Sequence, residues 1–175
     1  AAGLPTIEAD PSQLRQVIMN LVINASEAIG ETNGTVTVST GILHADQSYL
    51  GQYYSAPELP GGDYIFIEVS DTGCGMTPET RDKIFEPFFT TKFTGRGLGL
   101  AAVLGIIRGH KGAIKVQSGL GKGTTFKVLL PCSGTAVHEI PADPAVVAAW
   151  RGQGTVLLVD DEELVRMVTE ELLKS

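Results

Sequence analysis

A glycine-rich segment near the middle of the chain has the residue types of a phosphate-binding loop. Gly95, Gly97 and Gly99 stand at alternate positions, and a predicted helix follows them. Backbone amides at the start of a helix attract anions, and glycine lets a ligand approach the backbone closely. Lys92 precedes the glycines and Arg96 stands among them, so both can add positive charge. The segment therefore predicts a site for a polyphosphate.

Two other glycine-rich nucleotide motifs do not fit this segment. Gly97, Gly99 and Ala102 match the spacing G-x-G-x-x-A, but that fingerprint requires a strand directly before the glycines and an acid about 20 residues later. A loop rich in Phe and Thr precedes the glycines, and residues 115–118 contain no acid. The P-loop pattern G-x-x-x-x-G-K-[ST] does not occur. We therefore predict neither a dinucleotide-binding fold nor a P-loop.

A polar stripe runs along the first predicted helix. Asn20, Asn24 and Glu27 are spaced i, i+4 and i+7, so they share one side of the helix. Asparagine is a weak helix former, which makes two of them an unfavourable choice for a solvated stripe. The stripe is either such a solvated face or a source of amide oxygens for Mg²⁺, which takes few protein ligands when phosphate supplies others.

An aspartate at the end of an apolar strand is followed by glycines. Asp71 comes directly after the apolar run 64–70, and Gly73 and Gly75 come after it. Asp and Gly are typical of turns. The same pattern suits a base pocket, in which a partly buried carboxylate accepts a strong hydrogen bond from an adenine amine. The residues by themselves leave both interpretations open.

Local patterns predict an α+β sandwich, with helices on one face of a mixed sheet. Asp10 and Pro11 mark a helix start, and apolar residues then follow at helical spacing as far as Gly30. The later predicted elements are strands at 34–43 and 64–70, a loop at 44–62, helices at 78–84 and 98–108, and a hairpin of 113–118 and 124–130.

Composition and charge limit the possible functions. The chain has 175 residues, of which 43% are hydrophobic, enough for one domain and a small appendage. The net charge of -7 argues against general nucleic-acid binding, although a few local donors still suffice to bind an anion.

Cys74 and Cys132 form no Cys-x-x-Cys pair, which is typical of a reducing compartment without disulfides or zinc. Since no apolar run approaches the roughly 18 residues of a membrane span, we expect a cytoplasmic fragment without membrane contact.

Five segments, in this order, resemble the conserved boxes of the catalytic, ATP-binding domain of sensor histidine kinases. The resemblance covers about residues 4–131 and implies a two-layer sandwich of the Bergerat type that binds ATP and Mg²⁺. The N, G1, F, G2 and G3 boxes correspond to residues 20–28 (NLVINASEA), 71–76 (DTGCGM), 85–92 (FEPFFTTK), 95–100 (GRGLGL) and 121–126 (GKGTTF).

The resemblance implies a role for each matching residue. Asn24 becomes the magnesium ligand, with Asn20 beside it, and Asp71 binds the adenine amine with support from Thr124. Lys92 meets the terminal phosphate, so Asn20 and Lys92 are the candidate catalytic residues. The other implied nucleotide-binding positions are Gly73 and Gly75 at the base and Arg96, Gly97, Leu98 and Gly99 at the phosphates and the lid.

The chain departs from the family pattern in two places. Arg96 replaces the threonine of many G2 boxes, and it either contacts phosphate or faces solvent. Pro87 and Thr90 stand where many F boxes carry arginine, which leaves Lys92 as the main basic candidate. The lid, residues 93–96, is short, so we expect it to be ordered without nucleotide. Two F-box phenylalanines, Phe85 and Phe88, are expected to pack the lid.

The residue type at position 20 favours a kinase over an ATPase. Related ATPases carry at this position a glutamate that activates water, whereas a neutral amide cannot accept a proton. The sequence therefore predicts slow hydrolysis and transfer of the γ-phosphoryl group to a protein acceptor. The alternatives are a nucleotide-sensing or partner-docking module of the same fold and, less favoured, a Bergerat-type ATPase.

The tail, residues 155–175, resembles the start of a receiver domain. An apolar strand leads into Asp160 and Asp161 after a linker at 132–154. A working receiver needs about 100 residues or more, so this tail is a truncated first strand and helix. We expect the full protein to be a hybrid kinase.

The phosphoacceptor histidine has no candidate in this sequence. His44 and His110 are expected to be structural or solvent-facing, and His138 stands in the linker. The expected partners are a dimerisation domain of the same protein that carries the histidine, and a receiver domain. We expect a monomeric fragment that binds Mg-ATP without phosphorylating itself, within a dimeric full protein.

Overall fold

The computed structural model describes residues 4–54, 59–92 and 95–133, together with residues 167, 170 and 171. The chain divides into two compact units, Ala1–Val137 and His138–Ser175. The predicted linker and tail fall almost entirely outside the described residues. The helices of the first unit are α1 (Pro11–Ile29), α2 (Gln47–Leu50), α3 (Pro78–Lys83) and α4 (Gly99–Gly109), and the strands are β1 (Val36–Ala45), β2 (Gly62–Asp71), β3 (Ala113–Ser118) and β4 (Thr124–Pro131).

Helix α1 begins and ends where the sequence predicted. The Asp10 carboxylate accepts hydrogen bonds from the amides of Ser12 and Gln13, at 2.7 and 3.2 Å, and Pro11 occupies the first turn. These bonds satisfy two of the amides that lack partners at a helix start. The helix ends at Gly30, whose φ of 67° is a conformation that glycine adopts without a steric penalty.

The four described strands form one sheet in the order β1-β2-β4-β3. All three pairings are antiparallel, whereas the sequence suggested a mixed sheet. The α+β, two-layer architecture itself is confirmed. Because β3 and β4 are joined by a tight turn, they must run in opposite directions, and β4 then pairs with β2 from the other side. This order places the ends of β2 and β3 on either side of the start of β4.

The main core lies between the sheet and the two long helices. Val17 and Leu21 of α1 and Val103 of α4 are completely buried, and they pack with Val69 of β2 and Val128 of β4. Side chains alternate between the two faces of a strand, so neighbouring residues belong to different layers. The helical layer therefore covers the same sheet face on every strand that contributes to this cluster.

A second, smaller core lies on the opposite sheet face. Leu129 stands between two residues of the main core but packs in this cluster, together with Leu50 and Tyr64. The sequence predicted only a loop over 44–62, yet α2 lies within it, and Asp46 caps α2 through a 2.7 Å bond from the amide of Tyr49. A four-residue helix is too short to show a helical period in the sequence, which explains the difference.

No helix in the described part of the chain combines the length and the apolarity that a membrane crossing requires.

Truncation of a side chain on the buried face of α1 should lower the stability of the domain. We expect Leu21→Ala to lower the free energy of unfolding by about 2–5 kcal/mol, because the site is fully buried and leaves a cavity. Met19→Ala on the same helix, where the side chain is 51% exposed, should change it by less than about 0.5 kcal/mol. Urea unfolding followed by circular dichroism measures both, and equal losses would contradict the assigned rotation of α1.

Candidate nucleotide-binding site

One end of the site is built around a buried carboxylate. Asp71 ends β2 and is only 6% exposed. Its Oδ1 accepts hydrogen bonds from the amide of Gly73, at 2.8 Å, and from the amide of Thr124, at 3.2 Å. Since both bonds end on Oδ1, Oδ2 keeps its capacity to accept a hydrogen bond from a ligand. The two amides offset part of the cost of burying a charged group.

The loop that follows Asp71 is held from two sides. The amide of Cys74 donates a hydrogen bond to the carbonyl of Ala28 in α1 at 3.0 Å. The carbonyl of Cys74 accepts a hydrogen bond from the amide of Gly121 at 2.8 Å. Gly75 has a φ of 66°, and a Cβ at this position would overlap the carbonyl of Gly119. The loop therefore bridges the last turn of α1 and the β3–β4 turn, and a side chain at 75 would break that bridge.

Ser118 organises this end of the site, and the sequence analysis did not identify it. Its Oγ accepts from the amide of Met76 at 2.9 Å, donates to the carbonyl of Gly123 at 3.1 Å, and lies 2.9 Å from Oγ1 of the buried Thr124. The hydroxyl thus connects the loop after β2 to the start of β4. A serine at the end of a strand carries no distinguishing pattern, because its partners come from other parts of the chain.

The other end of the site is the start of α4. The first residue of this helix, Gly99, lies beside α1, since a Cβ placed on it would stand 3.6 Å from Oδ1 of Asn20. Leu98 precedes the helix and offers no side-chain cap to its first amides, which suits an anion at this position. Gly97 has a φ of 66° and accepts a 2.8 Å bond from the amide of Phe88.

Several predicted residues of the phosphate end are exposed. Arg96, Leu98 and Gly99 are all exposed, so the proposed contact of Arg96 with phosphate stays a prediction. Phe88 is 75% exposed, whereas the expectation was that it packs the lid. Phe85 packs against Tyr54, with the two ring centroids 5.0 Å apart, and its contact with the lid stays a prediction. Residues 93 and 94 lie outside the described part of the chain, and the prediction of an ordered lid depends on them.

The polar stripe of α1 joins the two ends. Asn20 lies at the start of α4, and Ala28 is bonded to the loop after Asp71, with Asn24 between them. The ammonium of Lys92 donates to Oδ1 of Asn24 at 3.0 Å and forms an ion pair with Glu27. The structure therefore brings Lys92 to Asn24 and Glu27, and Gly99 to Asn20, along this side of α1.

Two cavities, of about 310 and 250 Å³, lie elsewhere. Both are lined by Tyr53 and Lys115, and neither is lined by a candidate site residue. Lys115 donates to Oε1 of Gln52 at 2.7 Å and lies over the ring of Tyr53, 5.6 Å from its centroid. Burial and then the hydrogen bond with the hydroxyl of Tyr49 raise the pKa of Tyr53 above its ordinary value.

The described histidines have structural partners. His44 pairs with Asp63 at 2.7 Å on the exposed ends of β1 and β2. His110 contacts the carbonyl of Ile106 through Nδ1 at 2.8 Å and accepts the amide of Asp10 on Nε2 at 3.0 Å. His138 lies outside the described residues.

The comparisons with known proteins identify the family. Residues 9–134 match the family described as histidine kinase-, DNA gyrase B-, and HSP90-like ATPase. The chain belongs to this family. Its described domain is an ATP-binding catalytic domain of the sensor histidine kinase type, and the resemblance predicted from the five boxes is confirmed.

The relatives are sensor kinases that are much longer than this chain. It is 44% identical over 182 residues to sensor kinase CckA of Brucella abortus (strain 2308), covering 97% of the chain and 18% of that protein. It is 42% identical over 132 residues to sensor histidine kinase ZraS of Escherichia coli (strain K12), covering 75% of the chain and 24% of that protein. The chain therefore spans only about a fifth to a quarter of these relatives.

Solved structures of histidine kinases share the fold. The catalytic domain of histidine kinase ThkA is 33% identical with a TM-score of 0.55, covering 72% of this chain and 70% of that one. Full-length ShkA in complex with AMPPNP is 33% identical with a TM-score of 0.58, covering 77% of this chain and 24% of that one.

Removal of the Ser118 hydroxyl should affect both stability and nucleotide binding. We expect Ser118→Ala to lower the free energy of unfolding by about 1 kcal/mol, since the Met76 amide loses its acceptor. The same loosening should weaken binding of an ATP analogue by about fivefold, measured by calorimetry. Ser39→Ala on β1 serves as the control and should change neither quantity. Unaltered binding by Ser118→Ala would show that the hydroxyl does not position the loop.

Proposed function

We propose that this domain binds Mg-ATP along the polar stripe of α1 and transfers the γ-phosphoryl group to a histidine on a dimerisation domain of the same protein. One observation carries the proposal: a single helix face joins the buried Asp71 loop, at Ala28, to the start of α4, at Asn20. The interval of eight residues corresponds to about 12 Å of helix. That length suits a ligand with a base at one end and phosphates at the other.

The base end selects adenine. Oδ2 of Asp71 accepts the 6-amino group, while Thr124, bonded to the other carboxylate oxygen through its amide, supports the carboxylate. Guanine carries a carbonyl oxygen where adenine has the amine, and two acceptors facing each other repel. Gly73 and Gly75 would shape this pocket, since a Cβ at either position would overlap the backbone of Ala28 or Gly119 and displace the loop.

The phosphate end suits a magnesium ion. Oδ1 of Asn24 already accepts a hydrogen bond from a cation, the ammonium of Lys92. An amide oxygen beside a polyphosphate is a donor set that Mg²⁺ accepts, and the ion would neutralise charge on the phosphates. Asn24 would hold the ion, and Lys92, Arg96 and the amides around Gly97, Leu98 and Gly99 would bind the phosphates.

The reaction is an in-line displacement. A nitrogen lone pair of the acceptor imidazole forms a bond to the γ-phosphorus while the bond to the bridging oxygen breaks, and ADP leaves with that electron pair. Positioning and charge neutralisation dominate such reactions. The amide of Asn20 is not a base, so it cannot activate water as a nucleophile in place of the acceptor histidine.

The remaining assignments follow the same proposal. Residues 1–131 form the catalytic domain, 132–154 a linker, and 155–175 the start of a receiver domain with Asp160 and Asp161. The match to sensor kinase CckA extends over 97% of the chain and so includes much of this tail, which indicates that a similar tail occurs in that relative. The resemblance of residues 155–175 to the start of a receiver is the basis for proposing a hybrid kinase. We propose a cytoplasmic location, a monomeric fragment and a dimeric full protein.

Asp71→Asn tests the adenine pocket. The amide oxygen of Asn can still accept both backbone bonds, so the fold should persist, but its NH₂ group would then face the adenine amine. We expect binding of an ATP analogue to weaken by at least about 30-fold, or about 2 kcal/mol. Asp63→Asn, the same change at the exposed start of β2, should bind as the wild type does. Calorimetry measures both, and unchanged affinity of Asp71→Asn would remove the pocket.

Incubation with labelled ATP tests the reaction. The chain alone should release phosphate slowly and retain no label. Addition of the dimerisation domain of the same protein should produce acid-labile, base-stable phosphohistidine on that domain. Binding without transfer would favour a nucleotide-sensing module, and rapid phosphate release by the chain alone would favour an ATPase.

A further inference from the structure

Two oxygens on neighbouring turns of α1 converge on one ammonium group. Lys92 donates to Oδ1 of Asn24 at 3.0 Å and forms an ion pair with Glu27, three residues further along the same helix. Residues three apart on a helix face the same direction, so their side chains can hold one cation together. Lys92 comes from the F box, which is separated from α1 by the whole of β1 and β2.

We propose that Glu27 is a positioning residue. It holds Lys92 against the amide oxygen of Asn24 until the binding of Mg-ATP displaces Lys92. This inference rests on the proposed function, because it takes Asn24 as the metal ligand. Both the ammonium and Mg²⁺ are cations that need the same Asn24 oxygen, so their occupancies exclude each other. Lys92 therefore exchanges Glu27 and Asn24 for the terminal phosphate when the metal arrives.

The exchange makes the affinity for Mg-ATP depend on Glu27. A ligand that binds only the conformation with Lys92 displaced has its apparent affinity reduced by the fraction of molecules in that conformation. Lys92 and Glu27 are 41% and 51% exposed, so their pair is a weak one that nucleotide can break. Without metal, Lys92 stays at Asn24 and serves as the counter-ion of the phosphates, so Glu27 does not oppose binding there.

Simple repulsion between Glu27 and the phosphates makes the opposite prediction. Removing a negative charge would then help metal-free ATP most, because Mg²⁺ neutralises part of the phosphate charge. A third possibility, in which Glu27 itself ligates the metal, predicts a loss of affinity with Mg²⁺. The three cases therefore differ in the sign and in the metal dependence of one measurement.

The experiment uses the 175-residue chain and its Glu27→Gln, Glu27→Asp and Glu8→Gln variants. Calorimetry with an ATP analogue is performed with Mg²⁺ and, separately, with a chelator. We expect Glu27→Gln to tighten binding by about two- to fivefold with Mg²⁺ and to leave it unchanged with chelator. Glu27→Asp keeps the charge but shortens the side chain, so it should tighten Mg-dependent binding as well. Glu8→Gln removes an exposed charge before α1 begins and should behave as the wild type.

A second readout needs no nucleotide. Acetylation of lysines by an amine-reactive ester, followed by mass spectrometry, should modify Lys92 more slowly than the exposed Lys83 in the wild type. Glu27→Gln should increase the acetylation rate of Lys92 by about two- to fivefold relative to that of Lys83. An unchanged rate would overturn the holding role of Glu27.

The binding outcomes also decide between the two proposals. A gain with chelator that equals or exceeds the gain with Mg²⁺, a loss with Mg²⁺, or no change in any variant would each overturn the inference while wild-type binding upholds the nucleotide site. Absence of binding by the wild type would overturn the proposed function and, with it, the competition at Asn24.

Discussion

The rotation of α1 about its own axis is the constraint on which the site depends. Val17, Leu21 and Ala25 recur every four residues and are buried against the sheet and α4. Three residues of an α-helix correspond to about 300° of rotation, so Asn24 lies about 60° from Leu21 around the axis. The stripe is therefore held at the edge of the core, where it is partly buried and still accessible. A rotation by one residue would turn it through about 100° and separate it from both the Asp71 loop and α4.

The acidic chain binds an anion through local groups. Its net charge is -7, yet the start of α4 offers uncapped amides and Lys92 offers an ammonium group. Uncapped amides and a nearby cation outweigh a distant field that is screened by solvent. In the proposed function the base end uses a negative charge instead, the Asp71 carboxylate, because an adenine amine is a hydrogen-bond donor. The two ends would then have opposite electrostatic preferences, and the ligand proposed for this site would bind along α1 in one orientation.

In the proposed function, the reaction is divided between this domain and a separate domain that carries the acceptor histidine. The match to this chain covers 18% of the length of sensor kinase CckA and 24% of the length of sensor histidine kinase ZraS. In the proposed function the domain supplies the nucleotide, the metal ligand and the positive charge, and the acceptor histidine belongs to another domain. Lys92, which the proposal assigns to the terminal phosphate, is the cation that contacts Asn24 and Glu27 in the structure. If Mg-ATP displaces Lys92 as proposed, nucleotide binding is linked to the position of the F box, and the weak, exposed ion pair permits this exchange.

The sequence by itself determined the features that depend on near neighbours. The limits of α1 follow from the Asp10 cap and Gly30, and the position of Asp71 follows from the end of an apolar strand. The five boxes identified the family, because their order and spacing are written along the chain. Local rules reach only a few residues, and these features lie within that reach.

Only the tertiary structure decided which distant groups meet. The order of the strands, the second core around Leu50, the hydroxyl of Ser118 between two loops, and the contact of Lys92 with Glu27 all join segments far apart in the chain. Thr124 meets Asp71 across 53 residues, and Lys92 meets Glu27 across 65. No periodicity or cap encodes such pairs, since they arise when the burial of apolar side chains fixes the packing of the sheet against its helices.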